Sequence, residues 1–164
     1  MIHLTSFCYF HYPEEVQKIT PFLWFEKDAS KVAEYYTSIF RDSKMLTSQE
    51  VHNTPSGDVE IVSVSLAGQE FTLMSAGPMF HFTEAISFVI SCDNQEEIDY
   101  YWEKLTADGG EEGQCGWLKD KYGVSWQVVP NRLGELQKDP ERAGRVTQAM
   151  LKMKKFIIAD LENA

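Results

Sequence analysis

An internal repeat constrains the fold of this chain more than any other feature of its sequence. Residues 19–40 match residues 84–105 without a gap at an offset of 65 positions, so that Asp28 falls on Asp93. In each segment an apolar strand comes before a helix that carries apolar residues at helical spacing. The repeat therefore predicts two strand–helix units of the same design.

The repeat continues beyond the two helices. The strand after Gly68 matches the strand after Gly123 at an offset of 55, because the first loop region is longer. Each half therefore predicts a strand, a helix and three further strands. A half of this kind cannot bury both its helix and its sheet alone, so we expect the two halves to pack together. Thr72 and Gln127 are equivalent in this pairing, since each lies four residues after its glycine.

Alternating apolar residues and turn signals set the bounds of the predicted elements. Strands are predicted over residues 19–26, 45–50, 58–67, 69–76, 85–92, 110–113, 117–118 and 124–129. Helices are predicted from a cap at Asp28 or Ser30 to about residue 40, from a capping box of Asp93 and Glu96 to Gly109, and from Asp139 to about residue 153. We expect residues 1–18 to be a partly disordered extension, 19–131 to be a domain with modules 19–77 and 84–131, and 132–164 to be a helical tail.

The strand over residues 124–129 contains one strongly polar side chain, that of Gln127. Ser125, Gln127 and Val129 share one face of this strand, whereas Val124, Trp126 and Val128 share the other. A lone glutamine at such a position is either a satisfied sheet residue or the floor of a ligand pocket. Both interpretations are open at this stage.

The residues that could line such a pocket are of two kinds, aromatic and polar. A concave site with an apolar lining and a few convergent polar groups is the general form of a small-molecule site. The alternative is that the aromatic side chains are ordinary core and the polar ones a solvated sheet face. The candidates are Phe22, Trp24, Ser63, Ser65, Thr72, Ser87, Cys115, Trp126 and Gln127.

Charge and composition exclude several classes of protein. The 164 residues carry a formal net charge of −10, which argues against nucleic-acid binding because that needs a basic surface. No apolar run approaches the roughly 20 residues of a membrane helix. Three widely spaced cysteines without a secretory signal indicate reduced thiols, so we expect a cytoplasmic protein.

Three segments together resemble one known family. They are ITPFLWFEKDASKVAEYYTSIF, GWLKDKYGVSWQVVP and DPERAGRVTQAMLKMKKFIIADLENA, and they span residues 19–164 in order. The chain resembles the PhnB-like branch of the vicinal oxygen chelate superfamily, whose domain is also called 3-demethylubiquinone-9 3-methyltransferase. This superfamily includes glyoxalase, bleomycin-resistance and dioxygenase proteins. The resemblance implies an α+β fold of duplicated βαβββ modules that form a cupped mixed sheet, and a homodimer that often exchanges modules.

In metal-using relatives the cup holds a divalent ion on His, Glu or Gln side chains. The corresponding positions here are Pro21, Thr72, Gln127 and either Ala85 or Ile86. One amide and one hydroxyl do not hold a zinc or iron ion, so no cofactor is predicted for this chain and a divalent metal ion is disfavoured. His3 and His11 lie in the extension, His52 in a loop and His81 in a linker, and none of them completes a ligand set.

Three functional hypotheses follow. The first is a protein or metal-independent enzyme that binds a small molecule in the cup. The second is a metal-dependent lyase or dioxygenase. The third is a non-catalytic dimeric module whose surfaces bind a partner protein and whose cup is filled by Trp24 and Trp126. Methyl transfer is disfavoured, because the paired glycines Gly109 and Gly110 follow a helix instead of joining a strand to one.

Overall fold

A computed structural model describes residues 17–164, and a βαβββ unit occurs in it twice. The first module contains β1 (Phe22–Phe25), α1 (Ala29–Ile39), β2 (Lys44–Thr54), β3 (Gly57–Leu66) and β4 (Gln69–Ser75). The second contains β5 (Phe88–Cys92), α2 (Gln95–Thr106), β6 (Glu111–Glu112), β7 (Trp117–Lys119) and β8 (Ser125–Pro130). The α+β class and the duplicated modules are confirmed.

The two modules form separate four-stranded sheets with the same topology. The strand order is β1-β4-β3-β2 in the first sheet and β5-β8-β7-β6 in the second. In each sheet the first strand pairs in parallel with the last, and the remaining pairs are antiparallel. Both sheets are open and mixed.

The repeat is not gapless in three dimensions. The N-caps of the helices are Asp28 and Asn94, which are 66 positions apart, and the buried Tyr36 of α1 corresponds at the same offset to Trp102 of α2. The predicted offset of 65 is therefore wrong for the helices by one residue. The sequence does not reveal this shift, because residues 100–102 are all aromatic. Both the offset of 65 and the offset of 66 place an aromatic residue opposite Tyr36.

The caps of both helices also differ from the prediction. The Asn94 side chain, not that of Asp93, accepts a hydrogen bond from the Glu97 backbone N–H at 3.0 Å. Asp28 precedes α1 in a left-handed conformation, and its side chain makes no cap bond. Instead the Glu60 carboxylate of β3 accepts from the Ser30 N–H at 3.0 Å, so the sheet caps the helix that packs on it.

The fifth strand begins at Phe88, three residues later than the predicted start at Ala85. Residues 84–86 form a turn and a bend ahead of it. The apolar side chains of Ala85 and Ile86 suggested a longer strand, but Ile86 is exposed.

The tail adds three helices and covers one end of the second sheet. These are α3 (Leu133–Leu136), α4 (Pro140–Met150) and α5 (Ile158–Glu162). The predicted cap of α4 is confirmed, since Asp139 accepts from the Glu141 N–H at 3.0 Å, but the helix ends three residues before the predicted residue 153. Gly116 has a φ of +80°, and a Cβ there would lie 2.6 Å from the Phe156 ring. The tail therefore packs against a backbone position where only glycine fits.

One core joins the two modules. The Trp126 ring of β8 lies 5.7 Å from the Tyr36 ring and 5.1 Å from the Phe40 ring of the first module, and Phe71 lies 5.1 Å from Phe88. The helix-facing sides of both sheets therefore point into a shared core, and the expectation that the halves pack together is confirmed. The opposite side of each sheet, which we call its outer face, points away from the other module.

A buried carboxylate lies at the centre of this core. Asp120 is 2% exposed and accepts hydrogen bonds from the Tyr36 hydroxyl at 2.7 Å and the Trp126 Nε1–H at 2.8 Å. It also accepts from the backbone N–H groups of Tyr122 and Val124 at 2.9 and 3.1 Å. Burial raises the pKa of Asp120, and the four hydrogen bonds oppose that effect. The carboxylate thus ties helix α1 to the turn between β7 and β8.

The substitution Asp120→Asn is expected to lower the free energy of unfolding by about 2–3 kcal/mol. Both carboxylate oxygens of Asp120 accept hydrogen bonds, one from the Tyr36 hydroxyl and the other from the Val124 N–H. The asparagine amide would therefore place its NH2 group against a hydrogen-bond donor in either orientation. Urea unfolding measures the change. Asp108→Asn is the matched control, because Asp108 is exposed and its left-handed backbone tolerates asparagine. Equal stability of the two variants would contradict the proposed linkage.

None of the helices within residues 17–164 is long and apolar enough to cross a membrane.

Candidate functional site

The outer face of the first sheet carries an apolar row flanked by hydroxyl groups. Phe22 of β1 lies beside Thr72 of β4, which lies beside Ser63 of β3. Ser65 follows on the same face, since side chains two apart on a strand point the same way. Phe22 is 56% exposed, which is unusual for an aromatic side chain in a strand. Four of the predicted site residues therefore share this surface.

Trp24 lies further along the same face and is held in place by the linker after β4. Its Nε1–H donates to the Gly77 carbonyl at 2.8 Å, and its ring packs edge-on against Phe80 at 4.9 Å. The apolar wall on this sheet therefore extends from Phe22 through Trp24 to the linker.

The outer face of the second sheet carries the more strongly polar groups, although apolar side chains flank them. Gln127 of β8 lies between Val89 of β5 and Trp117 of β7. The Gln127 Nε2–H donates to the Ser87 Oγ at 2.8 Å, so the structure brings these two predicted residues together. Gln127 remains partly exposed. It is a hydrogen-bonded sheet residue that can still present its amide to a ligand.

A charged pair lies next to Gln127 on this face. Lys119 of β7 lies directly opposite Ser125 of β8, and its Nζ contacts the Glu84 carboxylate at 2.6 Å. The hydrogen bond from Lys119 lowers the pKa of Glu84, and the same contact raises the pKa of Lys119. Sequence reasoning missed Glu84, Lys119 and Ser125 as site residues. The alternation that grouped Ser125 with Gln127 could have identified one of them.

Ser125 is the buried member of this group. It is 1% exposed, and its Oγ has no hydrogen-bond partner among the described residues. Ser125, Lys119 and Glu84 line a cavity of about 150 Å³ together with Glu111 and the end of β7. A buried hydroxyl without a partner is costly, so its position next to a cavity and an ammonium group indicates a binding function.

Two predicted site residues lie elsewhere. Trp126 is buried on the core side of β8 and lines a cleft of about 580 Å³ between the modules, together with Phe71, Phe88 and Tyr101. The Cys115 Sγ lies 3.5 Å from the Met150 carbonyl, against the tail. Trp24 and Trp126 are on different sheets and opposite faces, so they do not fill one cup together.

The side chains at the predicted metal positions do not fit a metal ion. Thr72 and Gln127 lie next to Phe22 and Val89, which have no ligand atoms, and Ala85 and Ile86 precede the strand. Within residues 17–164 no group of three or more His, Cys, Asp or Glu side chains could hold a metal ion. His52 pairs with Asp58 at 3.1 Å in the β2–β3 hairpin, away from these positions.

The same architecture occurs in proteins of known structure and in one sequence family. The profile of the family described as 3-demethylubiquinone-9 3-methyltransferase matches residues 17–129, which is more than half of the chain. The chain belongs to this PhnB-like family. The PhnB protein of Bacillus cereus, which carries the same description, is 34% identical, with coverage of 70% of this chain and 99% of its own and a TM-score of 0.62.

More distant structures share the fold with this PhnB-like protein. A protein from Pseudomonas aeruginosa is 16% identical with a TM-score of 0.56, covering 70% of this chain and 97% of its own. The fosfomycin resistance protein FosX from Listeria monocytogenes is 19% identical with a TM-score of 0.53, covering 77% of this chain and 100% of its own. No curated protein matches the sequence significantly.

The donor chemistry of the PhnB-like site leads to a prediction about metals. Protein purified without chelators should contain substoichiometric Ni, Zn, Fe and Mn, and adding these ions should not raise its melting temperature. Elemental mass spectrometry and thermal unfolding measure both quantities. FosX, which has been crystallised with Mn(II), is the positive control. A stoichiometric metal ion that raises the melting temperature would instead support the hypothesis of a metal-dependent lyase or dioxygenase.

Proposed function

We propose that this PhnB-like protein binds a small molecule between sheet outer faces, with side chains in place of a metal ion as the binding groups. The observation that carries the proposal is the presence of two exposed outer faces with different side chains, one with Phe22 beside Thr72 and one with Gln127 bonded to Ser87. Small-molecule sites combine such apolar area with a few oriented polar groups. The Ser87–Gln127 hydrogen bond fixes the amide in a defined direction, which supports a recognition role.

The exposure of apolar residues supports the same proposal. Phe22 is 56% exposed and Val89 is 58% exposed, although both lie in strands. They flank Thr72 and Gln127, the two positions that the repeat makes equivalent. Phe22 and Val89 lie on the edge strands β1 and β5, and exposed apolar surface of this kind is typical of a binding site or an interface.

The proposal includes a homodimer, because the two outer faces of one chain point away from each other. In the dimer that we propose, the outer face of the first sheet in one subunit lies opposite the outer face of the second sheet in its partner. This arrangement creates two equivalent cups, each with an apolar and a polar wall, as expected for a twofold interface. The exposed side chain of Val51 in β2, which lies opposite Val59, adds apolar area to it.

The protein is expected to have the mass of two chains in solution, and Val89→Asp should shift it to the mass of one. The new carboxylate would lie in the proposed contact surface, where it cannot be solvated. Size-exclusion chromatography with light scattering measures the mass. Leu151→Asp is the control, since Leu151 is equally exposed but lies in the tail. A monomeric wild-type protein would contradict the proposed dimer.

Gln127→Ala is expected to weaken ligand binding about tenfold while leaving the melting temperature nearly unchanged. The probe is a set of small fragments screened by nuclear magnetic resonance, from which those that shift the outer-face signals are titrated. Gln137→Ala, on the exposed surface of the tail, is the matched control. A large loss of stability without any bound fragment would show that Gln127 has a structural role instead.

A further inference from the structure

The contact between Glu84 and Lys119 suggests what kind of ligand the site takes. Lys119 presents a positive charge on the outer face of the second sheet, and the carboxylate bound to it comes from the linker between the modules. The chain has a net charge of −10, so a lysine on a recessed polar face is a distinct local feature. A carboxylate is therefore already present where a ligand anion would bind.

We propose that the ligand of this site is a small carboxylate, which binds to Lys119 and Ser125 in the place that Glu84 takes in the ligand-free chain. The inference rests on the proposed function, because it identifies the chemical class of the molecule in the same cup. The Lys119 ammonium and the Ser125 hydroxyl are cross-strand neighbours, so they supply two donors side by side. A carboxylate offers two acceptor oxygen atoms for these two donors.

The state of Ser125 supports the inference independently of the ion pair. Its Oγ is buried and has no partner within residues 17–164, and the cavity that it lines is also lined by Lys119 and Glu84. In a folded protein nearly all buried hydroxyl groups are hydrogen-bonded. An anion that displaces Glu84 and reaches into this cavity would give the hydroxyl an acceptor.

The attachment of Glu84 is suited to displacement. Its side chain is more exposed than that of Lys119, and the turn that carries it is held by hydrogen bonds of 3.4 Å from the Ile86 and Ala85 N–H groups to Thr83. An exposed ion pair contributes little to stability. Exchange of Glu84 for a ligand carboxylate therefore has a low cost.

The neighbouring charges favour a singly charged anion over a phosphate. Glu111 lies directly opposite Lys119 on β6, and Glu84 contacts the Lys119 ammonium group. Two carboxylates near one ammonium repel a dianion more strongly than a monoanion. Gln127 and Trp117 lie beside this group and are placed to contact the body of the ligand.

Benzoate is the probe that tests the inference, with its neutral analogue benzamide as the matched ligand control. Titration of the full chain, followed by amide chemical shifts, should show benzoate binding at Lys119 and Ser125 and weaker benzamide binding. Glu84→Gln should tighten benzoate binding about two- to fivefold, because it removes the internal competitor. Lys119→Met should weaken benzoate binding roughly tenfold, and Ser125→Ala should weaken it without loss of stability.

Lys155→Met is the control variant, since Lys155 is as exposed as Lys119 and its ion pair, with Asp99 at 2.5 Å, does not line this cavity. Its benzoate affinity should equal that of the wild type. If benzoate and benzamide bind equally well and Lys119→Met changes neither, the carboxylate inference is wrong while small-molecule binding stands. If neither compound shifts any outer-face signal and no fragment does so, the proposed function fails as well. Melting temperatures of all variants exclude loss of folding as the cause.

Discussion

The architecture depends on one buried carboxylate. Asp120 accepts hydrogen bonds from a tyrosine of the first module, from a tryptophan of the second and from two backbone N–H groups of the β7–β8 turn. A carboxylate this deeply buried is stable only when its oxygens are satisfied. The network therefore fixes how α1 lies against the second sheet, and with it the relative orientation of the modules.

The orientation of the two modules determines which residues of each strand enter the shared core and which face outward. Both helices and the apolar side of each sheet share the core, so the alternate residues of each strand face outward. Trp126 and Gln127 are adjacent in sequence, yet one packs on Tyr36 and the other donates to Ser87. The site is thus built from residues that the core does not need, which is why they are able to carry polar groups and exposed aromatic rings.

The sequence predicts the modules, the strand faces and the Asp139 cap, because each depends on local periodicity or on a short motif. It does not fix the register of the repeat. In the sheets, Phe22 lies beside Thr72, and Val89 lies beside the equivalent Gln127, so the first strands correspond at an offset of 67 positions and not 65. The difference of two residues leaves every side chain on its predicted face, so the alternation along the strand does not reveal it. The Glu84–Lys119 contact joins residues that are 35 positions apart, and no local pattern signals it.

The two modules differ at the equivalent positions Thr72 and Gln127, and this difference makes their outer faces chemically unlike. Identical modules would line the proposed cup with two identical walls and would bind a ligand equally well in two orientations. Here the threonine lies between Phe22 and Ser63, while the glutamine lies beside Ser87, Val89 and Trp117, close to Lys119. A ligand that contacts one apolar and one polar wall has a single favourable orientation. In the proposed cup, the difference between the two modules would therefore supply the directionality that a bound metal ion would otherwise provide.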